Sequence, residues 1–151
     1  MEKYAILIGY FDKQLKIIKS LYEEIINLNV NIYDKQFVFA FKTQQFYTAL
    51  EDLFKQIAKS FENHMENMGS FHKELLIRMN MEIPSIRPSV ISHQSLLLLD
   101  KVRSFRHFVR HAYDCELEKN ELQLIQTKLR SDFKEVEKNL TCFRKYLQEL
   151  L

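Results

Sequence analysis

The sequence predicts an all-α protein, an up-and-down bundle of four long helices plus one short helix, and three observations carry that expectation. Two glycines and two prolines in 151 residues are too few for a turn-rich β-architecture. Apolar residues recur at spacings of three and four, the period that lines one face of an α-helix. Both prolines fall in a single interior break, IPSIRPS, so the remainder is free to run in long elements. A chain of this length buries roughly two thirds of the surface its unfolded form exposes, which favours one domain over residues 1–151.

The first helix is expected from about residue 3 to residue 28, because Leu7, Phe11, Leu15, Ile18, Tyr22 and Ile25 form one stripe. Asn27, Asn29 and Asn31 then loosen the pattern. A second helix begins near Asp34, whose side chain can cap the free amides that follow. It carries Phe46, Leu50, Leu53, Ile57 and Phe61 and ends around NHMENMGS. Gly69 and Ser70 introduce a short helix, FHKELLIRMNMEI, which the prolines terminate. Ser89 is placed to cap a helix from about Val90 to Tyr113. The last helix is the clearest: Leu122, Ile125, Leu129, Phe133, Val136, Leu140, Phe143, Leu147 and Leu150 alternate threes and fours with polar residues between them. No internal repeat or linker interrupts this series.

A formal net charge of +2 identifies no partner, since nucleic-acid binding depends on a local patch. Cys115 and Cys142 are read as unpaired thiols of a reducing compartment. The apolar run in MEKYAILIGYFDKQ is too short and wrongly flanked for a signal peptide, and LLLL at residues 96–99 spans no membrane. A cytoplasmic protein without membrane contact is expected.

Several chemistries lack their residues. Gly9 and Gly69 are the only glycines, so no phosphate loop or dinucleotide fingerprint can be written. A di-iron carboxylate bundle needs Glu three residues before His, but Phe61, Gly69, Val90, Ser104 and Phe108 precede His64, His72, His93, His107 and His111. His107, His111 and Cys115, with Asp114 beside them, have a spacing that a zinc ion could use, yet no CxxC or HExxH accompanies them. No metal and no cofactor are therefore assigned. His64, His72 and His93 read as surface or half-buried residues.

The densest cluster of reactive side chains is RHFVRHAYDCE, residues 106–116. On a helix at 100° per residue, Phe105, Phe108, Val109 and Ala112 fall on one side. Arg103, Arg106, His107, Arg110 and Asp114 fall opposite, with His111 at the flank. One reading is a solvated basic face over a core stripe, in which Arg110 and Asp114 form a weak i,i+4 ion pair. The other is phosphodiester chemistry. Attack by an RNA 2′-hydroxyl needs a proton acceptor that works near neutral pH, which an imidazole such as His111 can be. It also needs a cation for the phosphoryl oxygens, and the planar fork of Arg106 suits them.

Arg106, His111 and Tyr113 spell R-x4-H-x-Y, which resembles the signature of the HepT-like HEPN ribonuclease toxins. The motif stands near the end of the penultimate long helix, before an Asp-containing turn and a final amphipathic helix, as in that family. FYTALEDLFKQIA at residues 46–58 and FHKELLIRMNMEIPSIRPSVIS at residues 71–92 are also similar to a HepT-like branch, so the resemblance covers most of the chain. It implies a HEPN-like fold and a homodimer whose cleft joins two copies of the motif into a metal-independent endoribonuclease site. It implies that His111 is the general base or acid and Arg106 the phosphate clamp. Cleavage would leave a 2′,3′-cyclic phosphate and a 5′-hydroxyl, the second subunit's motif offering the other proton donor. It further implies a minimal nucleotidyltransferase antitoxin as partner, which attaches AMP to Tyr113. RNA is the expected substrate, transfer RNA foremost, and Arg103, His107 and Arg110 are expected to hold its backbone. The competing reading is a non-catalytic helical module or antitoxin-like partner that docks onto another protein.

Overall fold

The computed structural model describes residues 1–62, 72–111 and 116–151. They form the expected all-α fold of four long helices and one short one: α1 (Glu2–Ile26), α2 (Tyr33–Glu62), α3 (His72–Asn80), α4 (His93–His111) and α5 (Lys119–Glu149). Among the described residues the one β pairing is an isolated bridge between Ile83 and Arg87. No helix among them is long and apolar enough to cross a membrane.

The anticipated stripes form the core. On α5, Leu122, Ile125, Leu129, Phe133, Val136, Leu140, Phe143 and Leu147 are all buried, and on α1 so are Leu7, Phe11, Ile18 and Ile25. Phe133 stacks on Tyr22 at 4.1 Å between ring centroids and meets Phe46 edge-on at 5.7 Å, joining α1, α2 and α5. Polar side chains close what the apolar stripes leave open. Gln126 of α5 donates to the carbonyls of Ile25 and Leu28, at 2.9 and 2.7 Å, and so satisfies acceptors that the end of α1 frees. Helix α2 packs against each of the other four helices, so its side chains reach both α3 and α4.

Three helix boundaries differ from the sequence expectation, each for a local reason. Helix α2 starts at Tyr33, so Asp34 lies inside the first turn, where its charge meets the positive end of the helix dipole, instead of at the cap. Helix α3 stops at Asn80, short of Ile83, because Arg87 folds back over its end. That guanidinium donates to the carbonyls of Arg78, Met81 and Pro88, each at 3.0 Å, and to Glu62 Oε1 at 2.8 Å. An arginine of the proline loop thereby takes the acceptors a longer helix would have used internally.

Helix α4 begins at His93, not near Val90, and its cap is Ser92 in place of Ser89. Ser92 Oγ accepts from the Ser95 amide at 3.3 Å, while Val90 and Ile91 are tied to the Met79 carbonyl at 2.7 and 3.2 Å. Those two residues are buried as part of the core. Asn139 of α5 fixes the start of α4, its Oδ1 accepting from the Ser92 amide at 2.8 Å and from Ser95 Oγ at 2.6 Å. Both ends of the Pro84–Pro88 connection are therefore pinned, and with them the orientation of α4, which carries the candidate site at its far end.

Candidate anion-binding cleft

The last turns of α4 line a cleft of about 250 Å³ together with the first residue of α3. Its walls are His72, Arg103, Arg106, His107, Arg110 and His111, so every lining side chain is an arginine or a histidine. Arg103, Arg106, His107, Arg110 and His111 are thus brought together as the sequence suggested. His107 and His111 stand one turn apart, with ring centroids 4.4 Å from each other. The partial negative charge at the C-terminus of α4 opposes an anion here, so affinity for one must come from the side-chain cations.

Arg106 departs from the expected arrangement. It is not on the solvated face opposite the apolar stripe; it is 4% exposed and belongs to the buried set of α4 with Leu98, Leu99, Val102 and Phe105. The upstream members of that set turn the apolar arc toward position 106, and a reading centred on Phe105, Phe108 and Val109 misses the rotation. A buried guanidinium requires a counter-charge and hydrogen-bond acceptors. Helix α2 supplies them: Arg106 Nη1 donates to Thr48 Oγ1 at 3.2 Å and Nη2 to Glu51 Oε2 at 3.2 Å. The guanidinium also lies 4.4 Å over the ring of Tyr47. These bonds use two of its five N–H donors.

Glu51 is the centre of this arrangement. Only 3% exposed, it also meets His72 Nδ1 at 2.7 Å through the same Oε2, and Lys55 Nζ lies 3.6 Å from Oε1. Burial alone would raise its carboxyl. The hydrogen bond from His72 and the charges of Arg106, His72 and Lys55 outweigh that and hold it below the usual carboxylate value. An ionised Glu51 fixes the tautomer of His72, because a bare Nδ1 at 2.7 Å from a carboxylate oxygen would set two acceptors against each other. Nδ1 therefore carries hydrogen and donates to Glu51. Its 3.2 Å approach to Arg106 Nη2 is then two donors converging on one carboxylate oxygen. Burial, and next the charge of Glu51, push the Tyr47 hydroxyl well above its ordinary value against the opposing pull of Arg106 and Arg103, so this ring acts as a neutral platform.

The remaining candidates are more exposed. Arg103 Nε donates to Asp100 at 2.9 Å, which neutralises part of its charge, while His107, Arg110 and His111 face solvent. Tyr113, Asp114 and Cys115 lie outside the described residues, and with them the Arg110 to Asp114 ion pair and any site using Cys115. Cys142 is a free, exposed thiol. Among the described residues no three His, Cys, Asp or Glu side chains are grouped to hold a metal ion.

Sequence reasoning missed Glu51, Thr48 and the inward role of His72. One signal was available for Glu51: it shares the helical period of Tyr47, Phe54 and Ala58, all buried, and a carboxylate in an apolar stripe demands a cation. Which cation answers it depends on how α2, α3 and α4 meet, and no spacing along the chain encodes that.

The fold and cleft define a helical-bundle protein with an arginine- and histidine-lined cleft backed by a buried Glu51–Arg106 pair. The chain matches the model of a family described as HepT-like protein over residues 38–147, and it belongs to this HepT-like HEPN family. No curated protein and no solved structure matched it. The matched span contains every cleft residue and Glu51, and it leaves α1 outside.

Proposed function

We propose that this chain is a metal-independent endoribonuclease toxin of a toxin–antitoxin pair, acting on RNA, with transfer RNA the first substrate to test. The observation that carries the reading is the cleft itself, in which Arg106 and His111 share one wall with Arg103, His107 and Arg110. Arg106 is anchored from behind by Glu51, so its guanidinium is held in place before any ligand arrives. That preorganisation is what makes a phosphate clamp effective against charge that develops in the transition state. His111 acts as the proton acceptor or donor at the ribose, and the exposed cations hold the flanking phosphates. The cleft is completed by a second copy of the chain, and the work is done in the cytoplasm.

Purified protein is expected to cleave total transfer RNA in excess EDTA, leaving 2′,3′-cyclic phosphate and 5′-hydroxyl ends readable by end-labelling. RNA left intact both in EDTA and with added divalent metals refutes the reading in favour of a non-catalytic binding module. Control of the toxin is assigned to a nucleotidyltransferase partner that transfers AMP to Tyr113. A nucleotide there would fill the cleft and repel RNA phosphate. Incubation with that partner and ATP should raise the intact mass by one or more AMP units, and a Tyr113→Phe chain modified equally well would reject the assignment.

A further inference from the structure

The second proton-transfer group of this site is within the same chain: we propose that His72, held through Nδ1 by Glu51, is the general acid that protonates the leaving 5′-oxygen. This rests on the ribonuclease reading above and replaces a donor borrowed from the second subunit. Three observations support it. His72 lines the same cleft as His111 and Arg106, although it comes from α3 and not from the motif. Its Nδ1 is committed to Glu51 at 2.7 Å, which fixes the ring and leaves Nε2 as the nitrogen with no bond among the described residues. Its side chain is 31% exposed while Glu51 behind it is 4% exposed, so one edge of the imidazole is braced in the protein and the other is open to a ligand.

The step balances with these two rings. Neutral His111 takes the proton of the 2′-hydroxyl as O2′ bonds to phosphorus. The bond from phosphorus to O5′ breaks with its electron pair remaining on oxygen, and protonated His72 gives that oxygen its Nε2 proton. The products are the 2′,3′-cyclic phosphate and a free 5′-hydroxyl, with His111 protonated and His72 neutral. Proton exchange with water resets both. Arg106, bonded to the same carboxylate as His72, holds the phosphate between them. Glu51 touches no substrate and is a positioning residue.

The test uses the bond that wild-type protein cuts, mapped first in transfer RNA, in a short oligoribonucleotide made with the natural 5′-oxygen or with sulfur in its place. A thiolate leaves without being protonated, so the sulfur substrate needs no acid. His72→Asn sets an amide nitrogen where Nδ1 stood and keeps the bond to Glu51, and it should slow the oxygen substrate by on the order of 10² to 10⁴. On the sulfur substrate it should return to within about tenfold of wild type, whereas His111→Ala stays impaired on both. His72→Gln is the second variant should the first not fold, circular dichroism deciding which is read. A His72 variant that cuts the oxygen substrate as fast as wild type, or is slowed equally on both, overturns the assignment while the ribonuclease reading stands. Wild-type protein that cuts no RNA overturns both.

Discussion

Replacing His111 with alanine should slow RNA cleavage by on the order of 10² to 10⁴ and leave the thermal unfolding midpoint unchanged. The two halves of this expectation come from different features of the same residue. His111 is the last residue of α4, exposed, and its one recorded ring contact is with the equally exposed His107 at 4.4 Å. Removing such a side chain deletes no core contact and no hydrogen bond among the described residues, so the change in stability stays within about 0.5 kcal/mol. The proton acceptor, however, is lost outright, and water is a poor substitute at neutral pH. Single-turnover cleavage rates beside calorimetric melts separate the two. An unchanged rate would remove His111 from the chemistry; a lowered melting midpoint would show that it supports the fold.

Arg106 does not allow this separation. A variant there disturbs the buried ion pair with Glu51 along with the phosphate clamp, so a loss of activity in Arg106→Ala cannot be read as chemistry alone. The difference between the two motif residues is one of depth, and depth is what the sequence conveyed least well. The apolar stripe of α5 was the most legible element, because nine positions at helical spacing leave one solution, and eight of them are buried while Leu150, just past the helix end, is partly exposed. Five of the six cleft residues were also legible as a group, since Arg103, Arg106, His107, Arg110 and His111 are within three turns of one helix. Arg106 was placed on the wrong side because its angular position falls at the boundary of the arc, and Leu98, Leu99 and Val102 decide the boundary. His72 and Glu51 lie 34 and 55 residues away from Arg106 along the chain, and only the packing of α2, α3 and α4 brings them to it. The start of α4 shows the same limit: Ser89 and Ser92 are equally good caps by composition, and Asn139 from α5 selects the second.

Glu51→Ala is expected to lower folding stability by about 3–5 kcal/mol, the cost of leaving a buried charge without its partner. Arg106 is 4% exposed and Glu51 3% exposed, so water cannot easily replace the lost carboxylate, and the donors of His72 and Arg106 converge on a vacated position. Glu51→Gln is milder, since its amide oxygen still accepts a hydrogen bond, and it isolates the contribution of charge. That contribution depends on pH with a definite sign. The Glu51 carboxyl is held below its ordinary value in the folded chain: burial raises it, but the His72 bond and the charges of Arg106, His72 and Lys55 prevail. The stabilisation is therefore complete above the unfolded carboxylate value of about 4.3 and is lost as pH falls through the lower folded value. Urea unfolding of wild type and Glu51→Gln at pH 7, 5 and 3 should show a gap that is full at pH 7 and narrows toward pH 3. A gap that does not change with pH would mean that Glu51 holds Arg106 as a neutral acceptor. The clamp and His72 would then share a hydrogen-bonding post without sharing its charge.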